Sequence, residues 1–207
     1  MPIHPSARPI VYIVDDDAAV RDSLDVLLRV RGHATRSYSS GSDFLSEVDR
    51  NARGCVLLDL RMPGLDGLAI QSMLSSRDIT LPVIMLTAHG DVATTRAAMK
   101  AGAFDFLEKP FDDDVLRSTI DAALARDTEA RAETDRRTEL SRLVDRLSAR
   151  ERQVLACVVA GRHNREIAVE LGISPRTVEV YKARVMEKLR VERLPDLIRI
   201  ALELDLA

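Results

Sequence analysis

The chain has 207 residues, 46% hydrophobic and 30% charged, with a formal net charge of −3. That is enough apolar material for one or two cored domains, and too little basic excess for charge alone to demand nucleic acid. Cys55 and Cys157 are the two cysteines; both sit in apolar runs, which argues against a disulfide framework or thiolate metal site and suits a reducing, cytoplasmic setting. No apolar stretch approaches the ~20 residues needed to span a bilayer, and Met1 to Pro9 lacks the apolar core of a signal peptide, so no membrane association is expected.

Charge divides the chain. Residues 1–125 carry 13 Lys/Arg and 18 Asp/Glu, residues 126–147 carry 6 and 6, and residues 148–207 carry 11 and 9. An acidic module, a neutral connector and a mildly basic module follow one another. The expected division is a tail over 1–9, a first domain over 10–125, a charged helical linker over 126–146 and a second domain over 147–207.

In chain order, 10–14 is a β-branched strand. Residues 18–30 place Val20, Leu24, Leu27 and Leu28 at helical spacing before Gly32. A weaker strand over 34–38 precedes a helix over 42–48. Residues 55–58 form a continuous apolar strand, and 68–74 a helix. A buried strand over 81–86, a helix over 92–99, a strand over 104–107 and a helix over 115–124 complete the first module. Strands alternating with helices imply right-handed βαβ units and a five-stranded parallel sheet covered on both faces, a doubly wound α/β fold. Residues 126–146 have no Gly or Pro and few apolar side chains before Leu140, and read as a charged, solvent-bridging helix extending the fifth helix in preference to a flexible linker.

The second module opens with Ser148 and Glu151 spaced as a capping box. One helix runs to about Ala160, and a second from Asn164 to Leu171. A tight turn at Gly172 to Ser174 leads to a third helix with Pro175 in its first turn. A fourth covers 194–204. Four helices in about 60 residues fit an all-α helix-turn-helix bundle.

Chemistry gathers at the strand ends. Asp15, Asp16 and Asp17 follow the first strand, Asp59 ends the third, Thr87 follows the fourth and Lys109 follows the fifth. In an open parallel sheet these are the carboxyl ends, where such folds place their sites. Asp17 suits the N-cap of the first helix. Asp15, Asp16, Asp59 and the backbone carbonyl of Arg61 make an all-oxygen set suited to Mg²⁺, which takes oxygen ligands and keeps several waters. Asp59 is placed as a nucleophile for phosphoryl transfer, with Lys109 and the Thr87 hydroxyl directed at phosphoryl oxygens. Singly, each residue also fits a turn, a cap or a solvated surface; their order along one sheet edge favours a site. A phosphatase working through an aspartyl-phosphate is the enzyme rival, but its usual pattern has a second Asp two residues after the nucleophile, where this chain has Arg61. In the second module, Arg176, Thr177, Lys182, Arg184 and Lys188 lie on the third helix, and Asn164 and Arg165 open the second, a polar set able to reach DNA bases and phosphates. A four-helix interaction module that binds protein or RNA is the rival there.

Val14-Asp-Asp-Asp17, Leu58-Asp-Leu-Arg-Met-Pro-Gly64, Leu86-Thr-Ala88 and Glu108-Lys-Pro-Phe111 resemble the bacterial two-component response regulators, whose receiver is flavodoxin-like (CheY-like). The strings from Thr87 to Val92 and from Asp105 to Asp112 look like the FixJ branch. Leu147 to Leu155, Asn164 to Ala168 and Ile173 to Tyr181 resemble the LuxR-type helix-turn-helix, with Tyr181 where histidine is common and Arg165 where lysine is common. The resemblance implies that Asp59 is the phosphoacceptor, that Asp15 and Asp16 bind Mg²⁺, and that Lys109 contacts the phosphoryl group. It assigns Thr87 and Phe106 to a conformational switch, although Phe106 also fits plain core packing. The implied protein is no metabolic enzyme: it takes a phosphoryl group from a sensor histidine kinase, dimerises and binds double-stranded DNA.

Overall fold

The computed structural model describes residues 8–88 and 92–206, without the Thr94 side chain. Residues 1–7 of the expected tail, and His89, Gly90 and Asp91 of the FixJ-like string, lie outside the described residues. The chain divides into two compact units, residues 1–130 and 131–207.

In the first unit, β1 (Ile10–Val14), β2 (Ala34–Tyr38), β3 (Gly54–Asp59), β4 (Val83–Thr87) and β5 (Asp105–Glu108) form one sheet of order β2-β1-β3-β4-β5. All its pairings are parallel. The helices between them are α1 (Ala18–Val30), α2 (Gly41–Glu47), α3 (Gly67–Ser76) and α4 (Val92–Lys100), and α5 (Asp113–Asp145) follows β5. Strand side chains alternate between two cores, as the period of two requires. Tyr12, Val14, Val56, Leu58 and Met85 join Phe44, Ile70 and Leu74 on one face. Val11, Ile13, Leu57, Ile84 and Leu86 join Leu24 and Leu28 of α1 and Leu116 and Ile120 of α5 on the other. Each fully buried Leu or Ile contributes about 1.5–3 kcal/mol. β3 is buried along its whole length, so its final carboxylate stands at the end of a strand held on both faces. Cys55 is a buried apolar filler whose thiol is pushed up to about 12 by burial and then by Asp127 and Asp121.

Most sequence-derived elements recur within a few residues. β4 begins at Val83 and not at 81, because Pro82 has no N–H for the ladder; its carbonyl accepts from Val56 N instead. α5 runs 33 residues and continues through 126–146, the segment read as a charged helix extending the fifth helix. The unit boundary falls within it, after Ala130.

The second unit contains the end of α5, then α6 (Ala149–Val159), α7 (Asn164–Leu171), α8 (Pro175–Lys188) and α9 (Leu194–Glu203). Its core unites Leu143 and Val144 of α5 with Val154, Leu155, Ile167, Val178, Val185 and Leu197. The α6 capping box is present, with Glu151 N bonded to Ser148 Oγ at 3.3 Å and Ser148 N bonded to Glu151 Oε2 at 2.7 Å. Gly172 closes α7 in the left-handed conformation at φ 65°, which a glycine adopts without steric cost. Among the described residues, no helix is long and apolar enough to cross a membrane.

Candidate phosphoacceptor site and nucleic-acid interface

The parallel register brings the expected acids and lysine together. Lys109 Nζ lies 2.6 Å from Asp15 Oδ2 and 2.6 Å from Asp59 Oδ1. Asp59 Oδ2 accepts from Arg61 N at 2.8 Å, and Asp15 Oδ1 accepts from Asp17 N at 2.9 Å. Thr87 is buried, and its carbonyl accepts from Lys109 N at 2.7 Å, so the ends of β4 and β5 are tied at the residue that carries the ammonium. Close packing under the site is enforced by Gly67, the first residue of α3. A Cβ there would lie 2.8 Å from the Asp59 carbonyl.

The electrostatics are unbalanced. One ammonium faces two buried carboxylates. Burial pushes the Asp59 carboxyl above its ordinary value; Lys109 and the Arg61 amide pull it down, Asp15 adds to the rise, and the net direction is up. Burial works against the Lys109 charge, but its hydrogen bonds to Asp15 and Asp59 outweigh it, and Lys109 is raised. Burial thus sets the direction for Asp59, and the two carboxylates set it for Lys109.

Not every expected residue converges on this point. Asp16 is exposed on the loop after β1. Asp17 caps α1 through Ala19 N at 2.8 Å, as expected. The Arg61 amide bonds to the Asp59 carboxylate, which holds Arg61 beside the site. Among the described residues no group of three or more His, Cys, Asp and Glu side chains is set to hold a metal ion; Asp15 and Asp59 gather around the Lys109 ammonium. Phe106 is half-buried and packs against the core on the Tyr12 face. Arg21 was missed. It lies in the first turns of α1, and its Nη1 donates to the Asp15 carbonyl at 2.7 Å, fixing the acidic loop. A cation one helical turn past the acids was the available signal.

In the second unit, Ser174 caps α8 through Thr177 N, with Pro175 in the first turn. Arg165, Arg176 and Arg184 are exposed, and Asn164, Thr177 and Lys182 half-buried. Lys182 Nζ donates to Asn164 Oδ1 at 3.2 Å, linking α8 to the start of α7. The Arg184 guanidinium sits 5.9 Å from the Tyr181 ring centroid, a cation–π distance. Lys188 departs from expectation. Its Nζ lies 2.6 Å from the buried Glu151 carboxylate and 3.3 Å from the Arg146 carbonyl, so its charge is committed inside the unit. Val180, 45% exposed on α8, was passed over because an apolar residue on a helix reads first as core.

Comparison with known proteins gives these sites a context. Residues 11–121 match the response regulator receiver domain, and residues 145–201 match the bacterial regulatory proteins of the luxR family. The transcriptional regulatory protein FixJ of Azorhizobium caulinodans is 47% identical over 198 residues, covering 96% of this chain and 93% of its own. The response regulator StyR superposes with a TM-score of 0.84 at 38% identity, over 95% of this chain and 100% of StyR. Full-length FixJ from B. japonicum gives a TM-score of 0.58 at 39% identity, over 97% of this chain and 99% of that one. Two family models in this order, and relatives similar over nearly their full length, place the chain among the response regulators: it is a transcriptional regulator of the FixJ type, a receiver domain joined to a LuxR-type DNA-binding domain.

Proposed function

We propose that Asp59 is the phosphoacceptor, and that its phosphorylation by a sensor histidine kinase raises the affinity of the second unit for operator DNA. The carrying observation is the Lys109 ammonium held 2.6 Å from both Asp15 and Asp59 at the carboxyl edge of the sheet. A carboxylate oxygen of Asp59 attacks phosphorus, the donor's N–P bond breaks, and the leaving imidazole takes the electron pair. Lys109 then turns its ammonium from Asp59 to a phosphoryl oxygen, and the Thr87 hydroxyl contacts another.

The donor set fits a divalent cation in its chemistry. Asp15, Asp16, Asp59 and the Arg61 carbonyl are all hard oxygen donors, and the excess of carboxylate over ammonium at Asp15, Asp59 and Lys109 is what a cation would neutralise. When bound, Mg²⁺ would supply charge neutralisation for the phosphoryl oxygens. Displacement of Thr87 towards the phosphoryl group would let Phe106 repack, and the altered face from α4 to β5 would form a receiver homodimer. Arg165, Arg176, Thr177, Lys182, Arg184 and Asn164 are the proposed DNA contacts, and Lys188 is left out because Glu151 holds it. The protein would act in the cytoplasm, where kinase and DNA are both available.

The test is incubation with acetyl phosphate and Mg²⁺. The wild type should gain one acid-stable, base-labile phosphoryl group, dimerise in sedimentation and bind its preferred DNA more tightly. Labelling of Asp59→Asn to the wild-type level would refute the assignment.

A further inference from the structure

Asp127 lies in the stretch whose composition reads as linker, and its neighbours Arg126, Thr128, Glu129 and Ala130 are exposed. Asp127 itself is 4% exposed. A carboxylate is costly to bury without a partner, and this one accepts from Gly54 N at 3.0 Å, across 73 residues of sequence. Gly54 is the first residue of β3. Its φ is 126°, and a Cβ there would lie 1.8 Å from the Ile10 carbonyl. The chain therefore enters β3 by a backbone approach open to glycine alone, and the amide presented at that corner is the one Asp127 takes. The other end of β3 is Asp59. Between them the strand is buried along its length, and it joins Asp59 at one end to the amide held by the α5 carboxylate at the other.

We propose that Asp127 is a positioning residue: its bond to Gly54 fastens α5 to β3, and the phosphorylation state of Asp59 reaches the helix through this fastening. The inference rests on the phosphorylation-controlled DNA binding proposed above. The bland alternative is that Asp127 merely satisfies an amide at a strand end. The two differ in what they expect of a protein that is folded and fully phosphorylated.

The experiment compares the full-length wild type with Asp127→Ala and Asp127→Asn, the latter keeping an oxygen able to accept the Gly54 N–H. Each is labelled with acetyl phosphate, digested briefly with trypsin, and titrated with a DNA fragment selected by the wild type. Asp127→Ala should label Asp59 like the wild type and be cut faster at Arg126 and Arg131. Its phosphorylation-dependent gain in DNA affinity should fall to within about twofold of none, against the ~5–150-fold typical of coupled sites. Asp127→Asn should keep most of the gain. An Asp127→Ala protein that retains the full gain overturns the inference. So does one that loses labelling and thermal stability together, because the role is then structural only. If the wild type shows no gain at all, the proposed function falls with it.

Discussion

Lys188→Ala should weaken the fold of the second unit and leave its grip on DNA unchanged. The Lys188 side chain is 38% exposed and that of Glu151 4% exposed. Removing one partner of a buried ion pair costs about 3–5 kcal/mol. Water reaches the lysine side, so screening reduces that to about 1–2 kcal/mol. The Ser148 amide remains bonded to the carboxylate at 2.7 Å and limits the loss further. At ~4–8 °C per kcal/mol for a domain of this size, melting should fall by about 5–15 °C. The Glu151 carboxyl lies below its ordinary value, through Lys188 first and the Ser148 amide second. Its stabilisation is thus present above the unfolded pKa of about 4.3 and lost as pH falls through the folded value, so the gap between variant and wild type should close in acid. The assay is thermal unfolding of the full chain across pH, with DNA titrations over a salt series below the transition. A variant that melts like the wild type while its salt slope falls by about one unit would make Lys188 a phosphate contact and refute the reasoning.

Asp59→Asn should take no phosphoryl group and should melt higher than the wild type at neutral pH. Its folded pKa is raised, so the associated stability is present below the unfolded value of about 3.9 and lost as pH rises through the folded one; the advantage of the variant should vanish in acid. Lys109→Met leaves Asp15 and Asp59 without their shared cation and should melt lower, with millimolar Mg²⁺ restoring more stability to it than to the wild type. Lys182→Ala should reduce the salt slope of DNA binding by about one unit if it meets phosphate, or lose about 1–3 kcal/mol on the preferred operator alone if it reads a base.

What was legible in the sequence depended on periodicity. α1, with Leu24 and Leu28 buried on one face, and β3, apolar throughout, could be placed because burial leaves a pattern. The strand-end residues could be grouped because a parallel sheet has one carboxyl edge. The middle of α5 is charged and exposed and was read as helix from its lack of Gly and Pro and not from a stripe, since its apolar anchors Leu116 and Ile120 lie far along the chain from Leu143 and Val144. Asp127 looked like one more linker charge because its partner is a backbone amide, which no side-chain pattern reveals. Lys188 was ambiguous for a related reason. A cation on the third helix fits phosphate and buried glutamate equally well, and only the fold shows that Glu151 is within reach.

The excess of carboxylate over ammonium at Asp15, Asp59 and Lys109 would suit the site to the switching proposed above. With Asp59 unmodified, Lys109 bridges two carboxylates and leaves one negative charge uncompensated. Replacing the Asp59 carboxylate with an acyl phosphate adds charge and acceptor oxygens at the same point. The bridge cannot persist in that form, because one ammonium cannot serve Asp15 and the new oxygens equally well. Lys109 shares a backbone hydrogen bond with Thr87, so rearranging its side chain acts on the end of β4 as well as β5. Thr87 is buried, and close-packed interiors pass such displacements on to their neighbours with little slack. A cation near Asp15 would take over the charge that Lys109 gives up, which is why Mg²⁺ should matter more to the phosphorylated protein than to the unmodified one.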